Sequence, residues 1–317
     1  MVKVLKLQAL LALAILCLTG CDGELLYSDD PDIPLYELRV IRSGTGLKLQ
    51  SYVSGFADDV NAAGLTGNAS LVYDGERLVI STGADGSSAN DEGTGSDPSN
   101  VAGQNGVDLP DRAGEIIKAN GTGLSIEMMV KIPAGRIPGG EYWQDGEGNG
   151  SACANPLFTM SDGTSWADRT TWFRIFNAQW WFYKNQWAQN TLLPAGGVIG
   201  LDENQWAEGL ANNQYRHIML TIDSFGNAQM FIDGVPVISG NLMGTGPAPV
   251  TKTDVFDFSQ WGNIRVWLGK TNLVNRSTCQ MYIYNFAVFG GVLSPGEIAA
   301  RTSILAKPGA FTINDIH

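Results

Sequence analysis

The stretch Tyr215 to Val237, YRHIMLTIDSFGNAQMFIDGVPV, constrains the fold more than any other part of the chain. Ile218, Leu220 and Ile222 alternate with Met219 and Thr221, a period of two that predicts a strand with one face buried. Asp223-Ser224-Phe225-Gly226-Asn227 breaks the pattern with turn residues, and Ala228 to Ile232 resumes it. Asp233-Gly234 then supplies the two positive-φ positions of a tight type I′ turn, and Val235, Val237 and Ile238 continue beyond it. Three antiparallel strands in so short a stretch predict a sheet meander and make a helical architecture untenable.

Residues 1–20 read MVKVLKLQALLALAILCLTG. Lys3 and Lys6 precede an apolar run from Leu7 to Leu18, which is too short to span a bilayer comfortably. Leu18-Thr19-Gly20-Cys21 resembles the lipobox of bacterial lipoprotein signal peptides. The resemblance implies removal of residues 1–20, lipidation of Cys21, and a lipid-anchored, extracytoplasmic protein of the bacterial cell envelope. Asp22 resembles an inner-membrane retention signal in some bacteria and a surface-export signal in others, so both the periplasmic and the cell-surface side remain open. Residues 21–34, acidic and holding two prolines, read as the lipidated Cys and its tether.

Formal net charge is −12 with Lys3 and Lys6 counted, and −14 once they leave with the signal segment. Such a chain is a poor partner for nucleic acid or other polyanions. The two histidines, His217 and His317, exclude a multi-His metal site, and a Ser-His-Asp triad would have to use one of them. His217 falls on the strand face opposite Ile218 and Leu220.

Further strands are predicted at Tyr36 to Ile41, Leu47 to Val53, Ala69 to Tyr73 and Arg77 to Ser81, with Asp74-Gly75 as a hairpin turn. Residues 83–111 form a long Gly/Ser/Asp/Asn segment expected to bury no core, and 139–155 a second Gly-rich insertion. Clean alternation returns at Gly123 to Ile132 and stops at Pro133. Strands at Leu157 to Met160, Thr171 to Phe176, Trp180 to Tyr183 and Ile264 to Gly269 follow. Cys279 to Phe289 forms a closing strand, and Ser294-Pro295-Gly296-Glu297 opens a short helix with a capping box.

The meander with its Q-M-F-I-D-G, the S-I-E-M-M-V-K-I strand at 125–132, the V-x-L-G strand at 266–269 and the Tyr284-Asn285 to Leu293-Ser294 ending together resemble laminin-G-like (concanavalin A-like) domains over roughly residues 65 to 302. The resemblance implies an all-β antiparallel jelly-roll sandwich with one short C-terminal helix, placed here as one domain over 35–317. Met129 stands where the family usually has Trp.

Seven of the nine tryptophans lie between Trp143 and Trp206. The run TWFRIFNAQWWFYKNQW interleaves them with amide and cationic side chains. Flat rings stack on pyranose C–H faces and amides take paired hydroxyls, so Trp172, Trp180, Trp181, Tyr183, Asn185, Trp187 and Trp206 are the candidate ligand-binding residues. A strand through Trp180-Trp181-Phe182-Tyr183 must send alternate residues inward, so core packing competes for part of this cluster. Cys17 leaves with the signal segment, and Cys153 and Cys279 remain as an even pair in an oxidising compartment. A disulfide between them is expected, the alternative being two thiols too far apart to bridge. Laminin-G-like domains often hold one calcium at the sandwich rim. Asp85, Asp91 and Asp97 are the local candidates for Ca2+, although no EF-hand or calcium-repeat spacing accompanies them.

Glycoside hydrolases that share the architecture carry Glu-x-Asp-x-x-Glu on one strand, and no Glu-x-Asp occurs here. The expected role is therefore non-catalytic recognition of a carbohydrate or cell-surface ligand. An adhesive surface protein with protein partners is the alternative. A divergent hydrolase or lyase would need facing carboxylates, such as Glu127 or Glu203 with a loop Asp.

Overall fold

A computed structural model describes residues 33–83, 105–121, 123–133, 156–163, 170–174, 179–183, 189–192, 212–241, 257–270 and 280–307. For 170–174, 179–183 and 189–192 the description is of backbone and register. The signal segment, Cys21, Cys153, Cys279, Asp85, Asp91, Asp97, Trp143, Trp166, Asn185, Trp187, Glu203, Trp206 and His317 lie outside the described residues.

The fold is an all-β antiparallel jelly-roll sandwich of two sheets. The larger sheet follows the order β15-β14-β13-β8-β17-β1-β2-β3, from β15 (Val235–Asn241), β14 (Asn227–Ile232) and β13 (Tyr215–Ile222) through β8 (Leu124–Lys131) and β17 (Tyr282–Gly290) to β1 (Tyr36–Ser43), β2 (Gly46–Val53) and β3 (Phe56–Asp58). The hairpin of β5 (Ser70–Tyr73) and β6 (Leu78–Ser81) joins it through β17. The smaller sheet runs β12-β11-β10-β9-β16-β7-β4. Its strands are β12 (Gln189–Leu192), β11 (Gln179–Tyr183), β10 (Thr170–Arg174), β9 (Pro156–Ser161), β16 (Arg265–Leu268), β7 (Gly106–Asp108) and β4 (Gly64–Thr66).

The meander forms as its alternation predicts. Ile218, Leu220 and Ile222 pair with Ile232, Met230 and Ala228, and on the other side with Met128, Ile126 and Leu124. All of these pack into one core with Phe158, Met160, Val266 and Leu268 of the opposite sheet. Asp233 and Gly234 both take positive φ, 49° and 79°, as the type I′ turn requires.

The short strands β3, β4 and β12 fall in stretches to which the sequence reading assigns no strand, and two further elements depart from it in a way that changes the core. Segment 83–111 is expected to stay out of the core, yet its last residues form β7, with Val107 fully buried and Leu109 at 8% exposure. Three residues of strand are masked by the Gly/Ser/Asp/Asn average of the whole segment. Helix α1 (Asp111–Asn120) follows directly, in a stretch to which alternation assigns no element. Ala113, Ile116 and Ile117 recur at helical spacing and bury against the core. Gly114 permits the contact, because a Cβ there would stand 1.7 Å from the Ile264 carbonyl oxygen.

Helix α2 (Pro295–Leu305) closes the outer face of the larger sheet. Ser294 caps it, its Oγ accepting from Glu297 N while the Glu297 carboxylate accepts from Ser294 N, and Pro295 takes the first position. Beneath it Met219, Phe231, Ala287, Phe289, Leu293 and Ile298 form a second, smaller apolar cluster. Sheet A will denote the larger sheet and sheet B the smaller.

Candidate functional site

Two regions concentrate the residue types that carry function. The first lies on the outer face of sheet A under α2. Glu127, from the middle of β8, is fully buried. Its two oxygens accept from Arg301 Nε at 2.9 Å and Nη2 at 2.7 Å, a bidentate pair. Asn285 Nδ2 donates to Oε2 at 3.0 Å, and His217 Nε2 stands 3.2 Å from Oε1. The other His217 nitrogen, Nδ1, lies 2.7 Å from Thr302 Oγ1, and that hydroxyl also bonds to the Ile298 carbonyl. Burial alone would raise the carboxyl's pKa. The Arg301 guanidinium and the His217 contact outweigh it and hold Glu127 well below the usual carboxylate range.

Asn285 is placed by a β-bulge. The β17–β8 register shifts between Ile283 and Asn285, and Asn285 Oδ1 accepts from the Met129 amide at 2.9 Å, satisfying a donor near the shift. Met129, at the position where Trp is usual in the resembled family, is buried with its sulfur 3.7 Å from Arg77 Nη1. Arg77 donates to the Leu305 and Ala306 carbonyls at the end of α2, at 2.8 and 3.1 Å. Its guanidinium lies over the rings of Tyr215 and Tyr284, at 4.9 and 4.6 Å. Next to it Asp74 pairs with Lys131 and accepts from the Tyr215 hydroxyl at 2.6 Å. Although burial opposes it, these bonds bring the Asp74 pKa down to about 2.

This face holds a carboxylate, a histidine, an arginine and a threonine within hydrogen-bond reach of one another. It is closed: Glu127 and His217 are no more than 1% exposed and every polar contact above is internal. A general acid or nucleophile needs solvent or substrate at its reacting atom, and here α2 occupies that space. Glu127 is a structural anchor for the closing helix, and Glu37, on the same row of the sheet and also buried, is paired with Arg39. On sheet B the buried Lys270 Nζ stands 2.5 Å from Oδ1 of the part-exposed Asp108 and donates to Thr66 Oγ1 at 3.0 Å. Burial lowers the Lys270 pKa against the pull of Asp108.

The second region is the β10–β12 side of sheet B, where the tryptophan run falls. Cross-strand partners share a face, so register sorts the aromatic positions into columns. Leu192, Trp180, Phe173, Phe158, Leu268 and Val107 align in one column. Phe158, Leu268 and Val107 belong to the central core, which makes this the inward column. Thr191, Trp181, Trp172, Thr159 and Trp267 align in the next. Tyr183 stands opposite Thr170, which stands opposite Ser161, with the same parity as Trp181. Register therefore puts Trp172, Trp181 and Tyr183 on the outward set and Trp180 in the core column. Thr159, Ser161 and Trp267 are buried although they stand on the outward set, so this face is covered at β9 and β16. Among the described residues, no three His, Cys, Asp or Glu side chains gather into a metal-holding group.

The polar lock on sheet A was recognisable in the sequence only in part. His217 and Glu127 show by parity that they leave the core face. Arg301 lies 174 positions from Glu127, and nothing local links them.

Fold and site together define a β-sandwich whose closed polar face is structural and whose aromatic positions on β10 and β11 are the candidate for recognition. The sequence matches no protein-family model and no curated protein. Solved structures share the architecture. A structure of botulinum neurotoxin type C, concerned with its interaction with two ganglioside molecules, aligns with TM-score 0.50 and 11% identity over 87% of this chain and 52% of its own. The botulinum neurotoxin DC binding domain in complex with rat synaptotagmin II gives 0.50 and 11% over 86% and 52%. The serotype C1 binding domain gives 0.50 and 12% over 87% and 53%. The chain spans about half the length of these proteins, and at this identity the likeness concerns the fold.

Proposed function

We propose that this chain is a non-catalytic binding protein that takes a glycan of the cell surface on the β10–β12 side of sheet B. The observation that carries the reading is the outward column holding Trp172 opposite Trp181, with Tyr183 at matching parity two residues along the same strand. Paired aromatic positions across a hairpin give a sugar ring a stacking platform, and Asn185, Trp187 and Trp206, outside the described residues, are proposed with it as ligand contacts. The burial of Thr159 and Trp267 confines that platform to the free side of the sheet. The structural neighbours lend support: one is described with gangliosides and another in complex with rat synaptotagmin II. Aromatic positions interleaved with amides favour the glycan over the protein partner.

The proposal includes lipid anchoring through Cys21 on the extracytoplasmic side of a bacterial envelope, a Cys153–Cys279 disulfide, and calcium at Asp85, Asp91 and Asp97 as a rim ion. A glycan array probed with the full chain, with and without chelator, tests the central claim. Binding to one sugar class that is lost in Trp172→Ala and Trp181→Ala, with an unchanged melting curve, is the expected result. Loss of binding on chelation would add the calcium. No binding to any glycan would overturn the reading in favour of a protein-binding surface.

A further inference from the structure

We infer that one end of the sandwich rests on the lipid surface to which Cys21 is tethered, through the apolar turn tips Phe56, Phe225 and Val292. This inference rests on the lipid-anchor reading above. Among the described residues, Phe158, Phe231, Phe258, Phe286 and Phe289 are all at most 2% exposed. Phe56 and Phe225 break that rule, at 75% and 64%, and Val292 is 52% exposed. Neither core cluster includes the three. They come from three different turns.

Those turns share one end of sheet A. Phe56 follows the turn after β2, whose last residue Val53 pairs with Tyr36. Phe225 sits in the β13–β14 turn, beyond Ile222, which pairs with Leu124. Val292 follows Gly290, which pairs with the same Leu124. A Cβ on Gly123 would lie 3.7 Å from Gly291 Cα and 3.9 Å from Asp223 Cα, which brings the second and third turns together. In sheet order the row runs from β13 to β2, roughly 20 Å at ordinary strand spacing.

The chain enters the domain at this same end. Ile33 lies beside the β2–β3 turn, its Cγ2 3.6 Å from a Cβ built on Gly55, and Leu35 lies beside Gly290. Residues 21–32 can reach at most about 40 Å even when fully extended. The tether to Cys21 thus joins the domain at this end and not at the end carrying Tyr73 and Tyr215.

The turns do not need these side chains to close. Asp223 Oδ1 accepts from the Phe225 and Asn227 amides at 2.8 and 2.9 Å, and Gly226 takes φ 77°. Ser54 and Gly55 take φ 47° and 80° before Phe56. Charge does not supply the contact, since a chain at −14 without Lys3 and Lys6 is not drawn to anionic lipid. Apolar tips at the headgroup boundary supply it instead.

The test uses the full chain expressed in a lipoprotein-processing bacterium, with photoreactive benzoyl-phenylalanine in place of Phe56, Phe225 or, as the control at the far end, Tyr73, which is 59% exposed. Fatty-acid labelling of Cys21 is read on the same samples. The expected result is phospholipid adducts at positions 56 and 225 and none at 73, with Phe56→Ser combined with Val292→Ser weakening the adduct at 225 without changing the melting curve. Labelled Cys21 with no adduct at 56 or 225, or with equal adducts at 73, would overturn the orientation and leave the anchor standing. Unlabelled Cys21 would overturn the anchor itself, and this inference with it.

Discussion

The middle of sheet A and the free side of sheet B carry opposite kinds of signal. The first assembles Glu127, His217, Arg301 and Thr302 within hydrogen-bond reach, the inventory of a catalytic centre. The second lines up Trp172 and Trp181 with Thr159 and Trp267, and the acid in that column, Asp108, stands at its far end on β7 and pairs with Lys270. The chemistry-bearing residues are sealed beneath α2, and the aromatic positions lie on β10 and β11, inside the edge strand β12. Residue type alone misleads, because a buried, fully bonded carboxylate and histidine do positional work. A closing helix needs a polar anchor on an otherwise apolar sheet face, and Glu127 provides it.

The comparison breaks first at Glu127. Glu127→Gln keeps the volume but leaves Arg301 buried without its charge partner, which costs about 3–5 kcal/mol. Urea unfolding followed by fluorescence measures it, and a loss under about 1 kcal/mol would mean α2 is not held by this pair. The same group sets an acid response. Its folded pKa is below its ordinary value of 4.5, so its contribution is complete above that pH and falls away as pH drops below it. The variant is expected to show a flatter stability profile in that acid range. On the other sheet, Trp180→Ala removes a ring from the core column and should cost a similar amount, about 3–5 kcal/mol.

How much of this could be read from the residues depends on how local each cause is. The meander, the Asp233-Gly234 turn and the Ser294 capping box are written in neighbouring residues, and all three form as the patterning predicts. Helix α1 escaped because its helical spacing is short and follows Pro110 and a long polar segment. β7 escaped because Val107 sits inside a Gly/Ser/Asp/Asn average. The polar lock joins β8, β13, β17 and α2, so it exists only once the sheet has brought them together. Alternation could say that one of Trp180 and Trp181 turns inward. Choosing between them needed the register against Phe158 and Leu268.

A smaller effect is expected at the rim of the same sheet A face. Asp74 ties the β5–β6 hairpin to Lys131 and Tyr215, and Asp74→Asn weakens both contacts, at a cost of about 1–3 kcal/mol. Its pKa is lowered from 3.8 to about 2, so the stabilisation is present above pH 3.8 and is lost as pH falls toward 2. Stability of the wild-type chain and of Asp74→Asn, measured by urea titration at neutral pH and near pH 2, should converge at the acid end. Parallel curves would show that the aspartate's charge contributes nothing.

The smallest expected effect is the most informative for function. Trp181 is the immediate neighbour of Trp180 on β11, with the same ring and the same strand, but stands in the outward column opposite Trp172. If that position serves recognition, Trp181→Ala should change stability by no more than about 0.5 kcal/mol, the range of substitutions outside packed cores. The contrast with Trp180→Ala is then several kcal/mol across one residue. Equal costs at the two positions would mean that both rings are packed, and the outward column would lose its claim to a ligand. A stability loss confined to Trp180 would leave Trp181 as a large aromatic residue that the fold does not require, the outcome the proposed recognition role predicts.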